Sequence, residues 1–411
     1  MTIRTGAPAA AGGERQAGFA QGLPLVVQAA LPTMGAILLV PVVPLIAAEY
    51  GRLPGAAYLI PMLLTIPGLC IALFSVPAGF LGDRVGRRAP LIAALAIYGV
   101  MGMAPMVLGD IRAVLAARFV LGMTEAVIIT LSATMLADYF TGATRDRWLA
   151  SISAIASLSA VAFLLAAGQI GAAWGWRAVT AVYGLSLLIV PAMMFLTWEP
   201  DSRREQAAAT AAGRVAFPWR HMAGTGAVTL FGSVLFYTLA IQQSMGLAEL
   251  GLTDPGRIGA LSAIATLANP LGTLLFWRVA HLRPSTLLAG EFLLLGAAFV
   301  GMSQATTDVQ FTAATFAGSF AAGMLLPTLL TWTMRGLPFV VRARGTGIWQ
   351  TLFALGLFLS GLLVPFLARN LVDGVLPAFG AIGIAAIAAA IAAAALRLAS
   401  RSSDGGPRPG G

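Results

Sequence analysis

Gly79-Phe80-Leu81-Gly82-Asp83-Arg84-Val85-Gly86-Arg87-Arg88 decides how this chain is read. A long apolar run ends at Phe80, and another begins near Ala89. Between them lie three arginines, one aspartate and a tight glycine turn. Glycine reaches backbone angles that other residues avoid, which suits a sharp reversal. Arginine suits the cytoplasmic end of membrane helices, where it pairs with carboxylates or helix C-termini.

Composition agrees with that reading. Of 411 residues, 58% are hydrophobic and only 10% are charged. The apolar residues come in runs of about twenty or more, the length that spans a bilayer. This excludes a soluble globular protein. No lysine is present, and all the arginines but Arg118 fall in the tails, in loops or at span ends. They read as the basic face of a membrane protein rather than a nucleic-acid surface. The single cysteine, Cys70, lies within an apolar run, so there is no intrachain disulfide.

Twelve spans follow, at approximately 23–48, 56–81, 90–109, 111–138, 147–173, 176–198, 221–247, 256–280, 285–304, 308–334, 343–368 and 373–397. Each must be helical, because a lipid-exposed backbone has to satisfy its own hydrogen bonds. With the N-terminus inside, nineteen arginines fall on the inner side and five on the outer side, and Arg118 is left within the membrane. Both termini are therefore expected to be cytoplasmic, in a bacterial inner membrane. Residues 1–22 lack a signal-peptide core and read as a disordered tail, as do residues 398–411.

The opening stretch resembles the loop between helices 2 and 3 of the major facilitator superfamily, G-x-L-a-D-r-x-G-r-[RK]-x-x-L. Gly79, Leu81, Asp83, Arg84, Gly86, Arg87, Arg88 and Leu91 fit, and Gly82 stands where alanine is usual. The resemblance implies an all-α membrane protein with twelve transmembrane helices in two pseudo-symmetric six-helix halves. The polar gap 199–220 is then a cytoplasmic loop between halves 23–198 and 221–397. Thr273 to His281 is similar to a decayed second copy of the signature, with Arg278 in the place of Arg84. Trp174-Gly175-Trp176-Arg177 matches an outer turn common in the superfamily.

Span 4 carries the most chemistry. Arg118, Gly122 and Ala126 fit the superfamily pattern R-x-x-q-G-x-g-a-A, while Leu121 and Glu125 depart from it. Arg118 and Glu125 are close to two helical turns apart, so they share one face about 10 Å apart along the axis. Neither faces lipid cheaply. Desolvation favours the neutral form of a carboxyl group, which suits such a group to carry protons. On that reading Arg118 and Glu125 couple transport to protons. The alternative is that Arg118 binds backbone carbonyls of a neighbouring helix and Glu125 fixes packing.

The resemblance also implies a conformational latch formed by Gly79, Asp83, Arg84, Gly86, Arg87, Arg88 and Asp138. Asp83 would meet the start of span 11 near Arg344 and Gly345, and Arg87 would meet Asp138. The alternative is a static charge pair. Gln28, Thr33, Tyr237, Gln242 and Trp332 are candidate cavity residues, with interhelical hydrogen bonding as the other reading of Gln242. Asn269 is a weaker cavity candidate, and Glu291 reads as a carboxylate near the inner surface that snorkels or pairs with an arginine. Span 5 lacks the Gly-Pro of drug antiporters, but Ala156, Ala160, Ala167 and Gly168 allow close approach to span 8.

No phosphate-binding loop is present, and His221 and His281 have no partner at metal-ligand spacing. No cofactor, metal, nucleic acid or enzymatic activity is expected. The expected function is proton-coupled export of small amphipathic molecules by a monomer working by alternating access. The alternative is proton-coupled uptake of an organic anion held by Arg118, or of another small metabolite. A non-transporting membrane sensor is a third reading, disfavoured by the complete loop signature and the short tails.

Overall fold

The computed structural model describes residues 17–200, 216–338 and 341–403. Among these, twelve helices are long and apolar enough to cross a membrane. In the first half they are α1 (Phe19–Tyr50), α2 (Ala56–Val85), α3 (Arg88–Met106), α4 (Ile111–Tyr139), α5 (Gly142–Trp174) and α6 (Trp176–Leu196). In the second they are α7 (Trp219–Ile241), α8 (Pro255–Val279), α9 (Pro284–Ser303), α10 (Asp308–Arg335), α11 (Arg342–Asn370) and α12 (Val375–Ser403). Much of the expected N-terminal tail and central loop lies outside the described residues. α1 begins ahead of residue 23, and α12 runs past residue 397.

The helices are not uniform rods. α1 comprises segments Phe19–Val27, Ala30–Ile37 and Val43–Tyr50, with a tight turn of helix at Val40–Val42. Pro41 cannot donate a backbone hydrogen bond and falls in that interruption. α2 carries Pro61, Pro67 and Pro77 in its interior. Each proline leaves the carbonyl four residues earlier without its helical donor, so a membrane interior must supply another.

The reversal after α2 is narrower than expected. Helix continues to Val85, so Gly79 and Gly82 are helical and Gly86, at φ +88°, makes the turn. Gly82 serves packing instead: a Cβ there would lie 2.5 Å from Leu131 Cδ2 on α4.

Buried apolar side chains form two clusters, one drawn mainly from α1–α6 and one from α7–α12. Tyr237 on α7 packs against both. Two carboxylates at equivalent places close each group of helices. Glu49, ending α1, accepts from Trp176 Nε1 at 2.8 Å and from Arg177 Nη1 at 2.7 Å, both at the start of α6. Glu249, in the short helix Gln243–Glu249 after α7, accepts from the backbone N–H of Val375 at 2.6 Å at the start of α12.

The two groups touch closely at the end away from the Arg84–Arg88 loop. There a Cβ at Gly259 would lie 2.5 Å from Leu164 O, and one at Gly168 would lie 2.7 Å from Pro255 O. Nearer mid-depth, Gly68 of α2 packs on Leu357 of α11, and Gly361 of α11 packs on Thr65. At the basic end the arrangement loosens. No described residue of α5 from Gly142 to Ser159 is buried, and the basic half of α8, Ala268–Val279, packs on α10. α5 and α8 are thus packed together at the far end and apart at the basic end.

Gly259→Ala should destabilise the folded protein by about 1–3 kcal/mol through overpacking of α5 against α8. Gly224→Ala should not, since nothing lies within 4 Å of a Cβ there. Thermal unfolding of the two purified variants in detergent checks this pair of outcomes.

Candidate functional site

The prolines and breaks of α1 and α2 explain where Arg118 goes. Pro67 leaves Leu63 O without its helical donor, and Arg118 Nε donates to that carbonyl at 2.6 Å. Gly35 O lies in the last turn of the segment Ala30–Ile37, where helical donors run out. Arg118 Nη2 donates to it at 2.6 Å. Arg118 Nη1 donates to the Tyr183 hydroxyl on α6, also at 2.6 Å. The guanidinium is 1% exposed and ties α1, α2 and α6 to α4. Of the two readings of Arg118, the structure displays carbonyl binding.

Glu125 lies on the same face and meets the same glycine. A Cβ at Gly35 would overlap the Glu125 carboxylate, so glycine is required for α1 to pass. Glu125 is 1% exposed, and its Oε1 has no hydrogen-bond partner. It forms no ion pair with Arg118, whose donors are directed at other groups. Tyr98 of α3 lies beside it, with its hydroxyl donating to Leu31 O of α1 at 2.6 Å. Tyr98 and Tyr183 pack edge to face, with ring centroids 5.6 Å apart. No motif marks these two tyrosines in the sequence.

The candidate cavity residues separate. Tyr237, where the two clusters meet, packs on Phe353 of α11 at 5.2 Å. Phe353 stacks in turn on Trp349 at 5.1 Å. Gln28 is fully buried, with neither side-chain amide atom bonded. Gln242 donates to Ser360 O at 3.2 Å and therefore joins α7 to α11. Thr33 is half-buried on α1. Trp332 belongs elsewhere: it lines a narrow cleft with Phe276, Thr328 and Arg335 at the basic end of α8–α10.

In the loop signature, Arg87 pairs with Asp138 at the end of α4. A further carboxylate joins them. Glu199, just after α6, accepts from the backbone N–H of Arg87 at 2.5 Å and of Arg88 at 2.9 Å, where a carboxylate meets the start of α3 favourably. Arg88 Nη2 donates to Met194 O at 2.6 Å. Asp83 and Arg84 are exposed. The expected meeting of Asp83 with the start of α11 is not made: Asp83 has no hydrogen bond or ion pair among the described residues, in keeping with the looser basic end. Glu291 also departs from expectation. It does not reach the surface or an arginine but is buried against Thr328 of α10.

Twelve membrane-crossing helices with ionisable side chains buried at mid-depth describe a transporter. Residues 25–338 match the model of the Major Facilitator Superfamily, and the chain belongs to that superfamily of transporters. No curated protein matches its sequence. Solved structures similar to it include a bacterial homologue of the human lysosomal transporter Spinster in an inward-facing and occupied conformation. That chain is 17% identical, with a TM-score of 0.72 over 92% of this chain and 96% of the other. The inward-open xylose transporter XylE from E. coli is 13% identical, with a TM-score of 0.73 over 90% and 94%. A D-xylose–proton symporter is 15% identical, with a TM-score of 0.70 over 91% and 97%. At these identities the likeness concerns the fold.

Arg87→Ala should cost about 3–5 kcal/mol by leaving the Asp138 carboxylate buried without its cation. Adding Asp138→Asn should recover part of that loss, as a double-mutant cycle on unfolding in detergent would measure.

Proposed function

We propose that this protein exports small amphipathic molecules in exchange for protons across a bacterial inner membrane, with both termini cytoplasmic. Glu125 is the proton carrier. The observation that supports this most is the position of its carboxyl group: buried, in no ion pair among the described residues, and pressed against Gly35 where α1 crosses α4. Rocking of residues 221–397 against 23–198 changes the cover over that carboxyl with conformation. The basic end, where α5 and α8 are apart, is then the cytoplasmic mouth, from which substrate enters.

Tyr237, Phe353 and Trp349 form an aromatic cluster on α7 and α11, which separation of the two helix groups would present to aromatic or amphipathic substrates. The related D-xylose–proton symporter indicates that this fold accommodates proton coupling. Uptake of an organic anion on Arg118 receives less support, because Nε, Nη1 and Nη2 already bind protein oxygens. In the closed mouth, Asp83 would cap the start of α11.

Inside-out vesicles energised by respiration test this reading. Amphipathic drugs, dyes and organic acids are added while the pH gradient is followed by fluorescence. Amphipathic compounds should collapse the gradient with the wild type and fail to do so with Glu125→Gln. If no compound does so with the wild type, yet expressing cells accumulate an organic acid, uptake replaces export.

A further inference from the structure

The membrane interior holds a second carboxyl group that this mechanism does not use. Glu291 is 3% exposed and sits about 10 Å along α9 from Pro284, at ~1.5 Å per residue. Its Oε1 lies 2.6 Å from Thr328 Oγ1 on α10, and its Oε2 is buried with no partner. The helices packed on α9 are α10, α12 and, more lightly, α7. α12 has no ionisable side chain from Val375 to Leu396. α10 has Asp308 and Arg335 at its opposite ends, and α7 has Arg220 and His221 at its basic end and Tyr237 further along. None forms an ion pair with Glu291, whose one bonded neighbour among the described residues is the Thr328 hydroxyl.

Counting protons shows which state of this pair satisfies both contacts of the hydroxyl. Thr328 Oγ1 lies not only 2.6 Å from Glu291 but also 3.0 Å from Met324 O in its own helix. A hydroxyl has one proton to donate. With an ionised carboxylate, that proton serves Glu291 or Met324 O, and the other contact goes without. With a proton on Glu291 both contacts are bonded: Glu291 donates to Thr328, and Thr328 donates to Met324 O. The protonated form also avoids burying an unpaired charge.

The contact adjoins a weak point in α10. Pro327 precedes Thr328 and cannot donate to Gly323 O. That carbonyl instead accepts from Thr273 Oγ1 of α8 at 2.9 Å. α10 is therefore gripped at its proline by α8 on one side and by Glu291 of α9 on the other. The narrow cleft that Trp332 lines has Thr328 in its wall, at the basic end of α10.

We propose that Glu291 is a second proton-binding site, where the bound proton fastens α10 to α9 beside Pro327. Loss of that proton to water leaves an ionised carboxylate that takes the Thr328 hydroxyl proton for itself, so that Met324 O loses its donor and α10 is loosened beside Pro327. The role in transport rests on the proton-coupled reading above; the site itself does not.

Infrared spectroscopy of the purified full-length protein in lipid tests the site, through the carboxyl C=O band of protonated side chains and its shift in D2O. At neutral pH, Glu291→Gln should remove one such band that Glu125→Gln leaves in place. Thr328→Val, which keeps the shape and removes the hydroxyl, should move that band to higher frequency. Should Glu291→Gln fold poorly, Thr328→Val carries the test. Wild-type and Glu291→Gln spectra that coincide in this region, or a band indifferent to Thr328→Val, would overturn the proposal. If no compound collapses a pH gradient while the band behaves as expected, export fails and the proton site stands.

Discussion

The arrangement depends on one guanidinium placed where two helices have lost backbone donors. Pro67 frees Leu63 O in α2, and the interruption of α1 frees Gly35 O. Arg118 fills both, and Tyr183 takes its remaining contact. In water such carbonyls would be hydrated at little cost. Within a bilayer they need a protein donor, and a charged donor needs partners equally. The broken helices and the buried arginine are thus each tolerable because of the other. Removing Arg118 would strand two carbonyls on different helices, and restoring regular helix would strand the arginine.

That tie also positions Glu125. Because Arg118 draws Gly35 against α4, the carboxyl two turns further on is pressed into α1 at the residue that has no side chain. With the arginine's donors committed elsewhere, Glu125 makes no ion pair among the described residues, and Tyr98 of α3 lies beside its carboxyl group. The same division of labour recurs at the basic end. Arg87, Asp138 and Glu199 hold α3, α4 and the end of α6 together, while Asp83 is exposed with no partner among the described residues. A rigid charge cluster on one side of the mouth and an unengaged carboxylate at its rim are compatible with a mouth that opens and closes.

The twelve spans were legible because hydropathy reports the bilayer directly. The reversal at Gly86 was legible too, although α2 runs four residues further than its hydropathy suggests. Helix rotation was not legible. Lipid and protein interior are both apolar, so α9 has no pattern to show which face turns inward, and Glu291 read as a surface residue when it is buried. The same blindness hid Tyr98 and Tyr183, whose importance comes from contacts with α1 and α4 rather than from any spacing. Gly259 escaped notice because its role depends on Leu164 across the interface. Arg118 could be placed inside the membrane from sequence, but the carbonyls it serves are set by tertiary packing.

The central claim is that the proton on Glu125 and the arrangement of the two helix groups are one coupled equilibrium. Pulsed electron paramagnetic resonance between spin labels at Ala150→Cys on α5 and Arg278→Cys on α8, in a Cys70→Ser background, tests it most directly. The distance across the basic end should shift between acid and alkaline buffer, and Glu125→Gln should abolish that shift. A distance distribution indifferent to pH, or one that shifts equally in Glu125→Gln, would contradict the account.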